Sequence, residues 1–334
     1  MVELQAIVQH LTQFPRQPTV LATLVSVEGS SYRRPGARLL LTADDKRIGS
    51  ISGGCLEEDL LARARQVTRS GTPELVTYDT TSENDLVWGV GLGCNGIVKV
   101  LLERLPSAPA WTKVLAARFR ANQATQLSVV WQASDLGSLG TYLSDEIPAL
   151  TPNAQVFRDD IGPPPRLLVF GAGDDARPLV RFAKELGWHV TVTDPRAHFA
   201  TDSRFPSADE ILVSPASDAV KRINPPNDVI AVIMTHHYVH DVPLLRDLLP
   251  RGLAYLGLLG PKKRAAKILA DLQSQGHAFT DEQLTRLHAP VGLDLGAETP
   301  EEVALSVIAE ISATLARRDG RPLRERDRPI HDSM

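Results

Sequence analysis

Residues 163–176 read Pro163-Pro164-Pro165-Arg166-Leu167-Leu168-Val169-Phe170-Gly171-Ala172-Gly173-Asp174-Asp175-Ala176, and the fold turns on them. Three consecutive prolines fit neither a helix interior nor a central strand. Residues 166–170 are a short apolar run, the pattern of a strand buried on both faces. The G-x-G-x-x-A that follows opens a helix, with Gly171 for a tight turn and Gly173 for close approach of a phosphate to the helix N-terminus. Asp194 ends the next apolar run, 23 residues after Gly171, where a carboxylate accepts hydrogen bonds from a ribose. Asp174 and Asp175 complicate this reading. They put two negative charges at the phosphate position and suit the helix dipole with no ligand present. A nucleotide-binding Rossmann-like domain and one with an altered site both stand.

Further along, strand patterns at 189–193, 210–213, 229–234 and 253–256 alternate with helical patterns at 175–186, 242–249, 262–275 and 301–317. This alternation predicts an α/β fold, a doubly wound parallel sheet over residues 167–318. Thr299, Pro300 and Glu302 mark the start of the last helix as a capping box. The charged tail, 319–334, is expected to be disordered. Strand ends of such a sheet line one crevice, so Arg196, the segment Thr235-His236-His237-Tyr238-Val239-His240-Asp241, and Lys262-Lys263-Arg264 are expected there. His236 is a candidate for proton transfer. His236 and His240 have metal-ligand spacing only if helical, and no second ligand cluster accompanies them, so no metal site is assigned. The basic triplet suits an anion or a solvated turn.

Before the prolines the pattern differs. Residues 151–166 read as a Pro-rich linker, and residues 1–150 as a smaller α+β domain with strands at 20–27, 38–42, 48–51, 75–78, 97–102 and 127–131 and helices at 55–70 and 110–120. Two domains suit 334 residues, and 43% hydrophobic with 23% charged residues suits globular cores. There are 15 basic and 17 acidic residues before Pro165 and 21 and 23 after it. Neither half is basic, which argues against a nucleic-acid partner. No apolar run reaches the roughly 18 residues of a membrane span, and the N-terminus lacks a signal-peptide pattern, so a cytoplasmic location is expected.

Only two cysteines occur, too few for a disulfide scaffold or a four-cysteine zinc site. Cys55 follows Gly53 and Gly54 at a helix start, where the dipole favours a thiolate and the acidic residues 57–59 oppose it. Cys94 follows Gly93 in the glycine-dense segment 89–96. Ser30, Arg33 and Arg34 lie in a third loop rich in small and basic residues. These loops suit a phosphate-bearing ligand held near thiols. A small buried cysteine and glycines serving hairpin turns explain the same residues without one.

Eight motifs in order carry a resemblance over most of the chain: GSSYRRPGARLLL (29–41), ISGGCLEEDL (51–60), GLGCNG (91–96), PPPRLLVFGAGDDARPL (163–179), VTVTDPR (190–196), MTHHYVHD (234–241), YLGLLGPKKR (255–264) and PVGLDLGAETPEEVALSVIAEI (290–311). Together they resemble the XdhC/CoxI family of accessory proteins for molybdenum hydroxylases. The resemblance implies a maturation chaperone that binds the molybdenum cofactor (molybdopterin), supports its sulfuration, and delivers it to a xanthine dehydrogenase or CO dehydrogenase-type apoenzyme. It also implies a homodimer and a cysteine desulfurase as a further partner. Within the match, Cys55 and Cys94 are the candidates for cofactor contact or sulfur handling, beside Gly53, Gly54 and Gly93. Ser30, Arg33 and Arg34 are the candidates for anion contacts, and Gly171, Gly173, Asp194 and Arg196 for a nucleotide crevice. Asp174 stands where many members carry histidine and Asn95 where many carry glycine. An NAD(P)-dependent oxidoreductase using His236, and a non-catalytic nucleotide-binding scaffold, are the alternatives.

Overall fold

The computed structural model describes residues 2–81, 96–222, 228–327 and 330. The chain divides into two compact units, Met1–Pro163 and Pro164–Met334.

In the first unit, α1 (Val2–Gln13) precedes a five-stranded antiparallel sheet ordered β3-β2-β1-β5-β4. Its strands are β1 (Thr19–Gly29), β2 (Arg38–Thr42), β3 (Arg47–Gly49), β4 (Glu74–Asp79) and β5 (Gly96–Arg104). Side chains alternate across a strand, and this sheet is covered on both faces. Val20, Ala22, Leu24, Leu39 and Leu41 meet Leu60, Leu61, Ala64 and Val67 of α2 (Glu57–Ser70). Leu21 and Leu40 point the other way, toward α1 and α3 (Ala110–Arg120). Also on that side lies a three-stranded sheet, β7-β6-β8, built from β6 (Thr125–Gln132), β7 (Gly140–Leu143) and β8 (Gln155–Ile161).

β8 corrects the expected linker. Residues 155–161 pair antiparallel with β6 from Thr125↔Ile161 onward, so only 162–165 remain as connection. The prolines end the strand without making the preceding residues extended spacer. One side chain of β8 also explains why the segment is fixed. Asp159 takes a 2.6 Å salt bridge from Arg38 of β2, whose side chain is 3% exposed.

The second unit has a six-stranded parallel sheet, β11-β10-β9-β12-β13-β14. Its strands are β9 (Arg166–Phe170), β10 (His189–Thr193), β11 (Glu210–Leu212), β12 (Val229–Ile233), β13 (Tyr255–Leu258) and β14 (Leu287–His288). The order reverses at β9, which pairs with β10 on one side and β12 on the other. Leu167 and Val169 face α4 (Ala176–Glu185) and α9 (Pro300–Leu315). Leu168 and Phe170 face α5 (Ala216–Lys221), α6 (Tyr238–Leu248) and α7 (Lys262–Ser274). The short α8 (Asp281–Thr285) precedes β14. Helices on both faces of a parallel sheet are the doubly wound arrangement that the β-α alternation implied.

Two details depart from expectation. β13 extends through Gly257, which reads as a loop residue but is required where it stands. A Cβ there would meet Val291 Cγ2 at 2.5 Å. In the tail, Leu323–Glu325 forms one exposed 3₁₀ turn where disorder was expected. The capping box at α9 is present, with Thr299 and Glu302 each accepting from the other's backbone N–H. No described helix is long and apolar enough to cross a membrane.

Removing one partner of a buried ion pair strands the other. Asp159→Ala is expected to destabilise the first unit by roughly 3 kcal/mol in denaturant unfolding. Replacing both residues, as Arg38→Met with Asp159→Leu, is expected to recover most of that loss. A loss below about 1 kcal/mol in the single variant contradicts this reading.

Candidate functional site

At one end of the five-stranded sheet β1, β3 and β4 finish and β2 and β5 begin. Two of the candidate segments therefore belong to that end. The β1–β2 loop carries Ser30, Arg33 and Arg34, and the segment from β3 to α2 carries Gly53, Gly54 and Cys55. Cys94 and Gly93 lie outside the described residues, but the flanks of that segment are pinned. Thr80 N and Oγ1 donate to Gly96 O at 3.0 and 2.7 Å, and Gly96 N donates to Thr80 Oγ1 at 3.0 Å. Gly96 also needs to be glycine, since a Cβ would meet Ser30 O at 2.3 Å.

The loop holding Cys55 is organised by a buried carboxylate. Glu57 accepts from Ser52 N at 2.8 Å, Ile51 N at 3.2 Å and Ser50 Oγ at 3.1 Å, and also from Ser52 Oγ. Ser52 Oγ in turn accepts from Gly54 N and Leu56 N at 3.1 and 3.2 Å. Burial would raise the Glu57 carboxyl, but the hydrogen bonds from Ser52 and its neighbours outweigh it and hold the group below its ordinary value. The acidic run beside the cysteine is thus consumed internally. Glu58 pairs with Arg47 at 2.7 Å, and Asp59 accepts from Arg63 and Tyr78 at 2.6 and 2.7 Å. Cys55 itself is a free, exposed thiol rather than a core residue. Gly53 and Gly54 have open space where side chains would project.

Arg33 and Arg34 separate. Arg33 forks onto both carboxylate oxygens of Glu3 in α1, one contact at 2.9 Å. Hydrogen bonding to Glu3 raises its guanidinium above the ordinary value, and Glu57 adds to this through space. Arg33 is therefore a strut rather than the open anion contact expected. Arg34, Ser30 and Tyr32 are exposed.

In the second unit, the ends of β9, β10 and β12 line a cavity of ≈ 290 Å³, with Phe170, Pro195, Pro215, Pro243 and Leu244 among its walls and Arg196, Ser214 and Thr235 among its polar groups. This is where ligands bind on sheets of this order, outside the carboxyl ends of strands at the reversal. Gly171 has φ +112°, and a Cβ on it would meet Met234 O at 2.5 Å, so it lets the ends of β9 and β12 close up.

Asp194, 2% exposed, departs from the role expected of it. Its oxygens accept from Ala172 N at 2.9 Å, Arg196 N at 2.9 Å, Arg196 Nε at 2.9 Å and Arg196 Nη2 at 2.8 Å. A carboxylate has about four lone-pair positions, and all are taken. Burial pushes the carboxyl up, but the bonds from Arg196 and Ala172 more than offset it and keep the group below its ordinary value. No acceptor remains for a ribose.

The Gly-rich loop is likewise occupied from within. Asp175 Oδ1 sits 2.7 Å from where a Cβ on Gly173 would project, and its Oδ2 is 2.6 Å from His236 Nε2. Asp174 pairs with Arg204 at 2.9 Å. His236 stands just ahead of α6 at φ +59°, a conformation that costs a non-glycine residue about 1 kcal/mol. His240 lies inside α6 against His237, ring centroids 5.8 Å apart. The two histidines with metal-ligand spacing are thus not paired, and among the described residues no group of three His, Cys, Asp or Glu suits a metal ion. Arg264 of the basic triplet turns inward to the buried Asp241, which also accepts from Thr235 Oγ1 at 2.5 Å. Lys262 and Lys263 are exposed. Sequence reasoning missed the anchoring roles of Glu57, Asp175 and Asp241. The acidic residues of a first helical turn and the aspartate seven residues after Met234 were the available signals.

Comparison with known proteins bears on both units. A model of the XdhC Rossmann domain matches residues 167–311, and one of the XdhC and CoxI family matches residues 15–79. A probable xanthine dehydrogenase subunit of Bacillus subtilis (strain 168) is 36% identical over 322 residues, 90% of this chain and 94% of that one. The chain belongs to the XdhC and CoxI family. The molybdenum cofactor insertion chaperone PaoD of Escherichia coli (strain K12) is 25% identical over 88% of this chain and 82% of its own. A crystal structure described as a xanthine dehydrogenase from Bacillus halodurans superposes with TM-score 0.80 at 34% identity, covering 96% of this XdhC-family chain and 97% of the other.

The His236–Asp175 pair has a measurable signature. Its hydrogen bond to Asp175 raises the His236 imidazole above the ordinary 6.5 against the opposing effect of burial. A value higher in the folded than in the unfolded state stabilises at low pH and loses that contribution as pH rises through the folded midpoint. NMR titration is expected to place His236 above 6.5 in the native chain and lower in Asp175→Asn. The stability gap between the two proteins is expected to be wider near pH 5 than near pH 8. Identical titration curves contradict the pairing.

Proposed function

We propose that this chain is a maturation factor that binds the molybdenum cofactor and supports its sulfuration and insertion into a xanthine dehydrogenase or CO dehydrogenase-type apoenzyme. Family membership supports it, together with the relative named as a molybdenum cofactor insertion chaperone. The observation that carries it on this chain is the exposed Cys55 thiol on a glycine loop, held outward by the buried Glu57. The cofactor supplies, when bound, a molybdenum centre with sulfur ligands and a phosphate. The residues present fit those demands. A thiolate is the soft donor suited to a metal–sulfur centre, and Gly53 and Gly54 leave the backbone open to close approach. Arg34 and Ser30, exposed on the neighbouring loop, offer N–H and O–H donors to a phosphate. Cys94 and Gly93, outside the described residues, belong to the same reading through the sequence motif alone. Arg33 contributes by fixing the β1–β2 loop to α1 through Glu3.

A cysteine desulfurase as sulfur source, a homodimeric assembly and a cytoplasmic setting belong to the same reading. The NAD(P) oxidoreductase alternative draws no support from Asp194, whose oxygens are already engaged, or from Asp175, whose carboxylate stands over Gly173 and meets His236.

Anaerobic incubation of the chain with molybdopterin cofactor, gel filtration and fluorescence of the oxidised pterin test the proposal. The native chain is expected to retain pterin, and Cys55→Ala and Cys94→Ala each to retain several-fold less. Absence of retention by the native chain overturns the function. Full retention in both variants overturns the assignment to the thiols.

A further inference from the structure

We propose that the cavity of the second unit binds a nucleoside monophosphate by its phosphate, on Arg196, and discriminates against both the free nucleoside and a dinucleotide. Three observations converge on this. The first is size. A volume of ≈ 290 Å³ lies at the small end of ligand sites, which run from about 300 to 1,000 Å³. It accommodates one planar base with its sugar, and the apolar faces of Phe170, Pro195, Pro215 and Leu244 suit a flat heterocycle.

The second is the inversion of charge at the sugar position. On sheets of this order a free carboxylate after the second strand accepts from ribose hydroxyls, and a nearby arginine instead takes a phosphate. Here the Asp194 oxygens are filled by four N–H donors, three of them from Arg196 itself. A guanidinium has five N–H groups. Arg196 spends two on the carboxylate, and its side chain remains 39% exposed at the cavity. Its plane is set twice, by the fork onto Asp194 and by stacking 4.0 Å above the Phe199 ring. What the site presents to a sugar is therefore an oriented set of donors. Donors in that geometry make charge-assisted bonds to a phosphate, whereas a ribose hydroxyl accepts from them only as a neutral oxygen and finds no free carboxylate for its own hydrogen.

The third is the pyrophosphate seat. A dinucleotide places its pyrophosphate over the second glycine of the loop. Over Gly173 lies the Asp175 carboxylate, 2.6 Å from His236. An incoming pyrophosphate meets a like charge there, while the base and sugar positions stay open.

Calorimetric titration of the full chain with adenosine, 2′-AMP, 5′-AMP, cytidine, 5′-CMP and NAD tests the proposal. At least one monophosphate is expected to bind roughly tenfold tighter than its own nucleoside, the worth of one charge-assisted hydrogen bond. NAD is expected to bind no tighter than adenosine. The adenine and cytosine series identify which base the walls accept, and preference for either supports the site. Arg196→Gln is expected to bring the monophosphate down to the level of its nucleoside without weakening the nucleoside, because Asp194 regains acceptor capacity. Should that variant unfold, Asp175→Gly serves instead. It clears the pyrophosphate seat and is expected to raise NAD affinity by about tenfold. Equal binding of nucleoside and monophosphate overturns the proposal, as does NAD binding tighter than every monophosphate. So does absence of binding by all six probes at about 1 mM. No pterin enters this experiment, so its outcome is independent of the cofactor reading.

Discussion

A single buried carboxylate fixes the working edge of the second unit. Asp194 stands at the end of β10, 2% exposed, and joins two separate backbone turns through Ala172 N and Arg196 N. Burying a charge is expensive unless hydrogen bonds compensate. Four charge-assisted bonds do so here, and they set the geometry of the whole edge. The Gly-rich loop is held at the end of β9, and Arg196 is folded back over the carboxylate. The cavity beside them takes its shape from that folding.

The first unit solves a related problem with the same device. Glycine loops supply backbone N–H groups that a packed core cannot leave unpaired. Glu57 absorbs those of Ile51 and Ser52, while Ser52 passes the bonding on to Gly54 and Leu56. Turning the Glu57 carboxylate inward has a second effect. The loop just ahead of α2 faces outward at Cys55, which is exposed where a core role was one of two readings.

How much of this was legible in the sequence depended on the kind of signal. β2, β9, β10 and α3 have the bounds that periodicity alone indicates, because each is a short apolar or amphipathic run with clear punctuation. The capping box of α9 was equally plain. β8 was not, since three prolines two residues downstream dominate the local reading. What fixes β8 is non-local: Arg38, 121 residues away in sequence, bonds to Asp159. β13 was shifted because Gly257 reads as a turn until Val291 is seen to lie against it. At the candidate sites, residue types pointed to the right neighbourhoods but not to their partners. Arg33 and Asp194 were read as open to ligand, and each is engaged by a side chain: Glu3 meets Arg33 only through the tertiary fold, whereas Arg196 folds back onto Asp194 from two residues away.

Charge at the carboxyl edge of the parallel sheet is paired throughout this cluster. Asp174, Asp175, Asp194 and Asp241 pair with Arg204, His236, Arg196 and Arg264 respectively. Each of the three arginines, and His236 when protonated, already has an internal anion. A phosphate reaching one of them therefore competes with a carboxylate tethered within a few ångströms, whose effective concentration far exceeds that of any free ligand. Such competition lowers affinity without removing specificity, because the donors stay oriented whether or not the ligand is present. An enzyme that must hold a nicotinamide dinucleotide through turnover gains nothing from filling its own pyrophosphate seat with Asp175. The Asp175 carboxylate over Gly173 opposes a pyrophosphate, while Arg196 keeps three guanidinium N–H groups for a single phosphate.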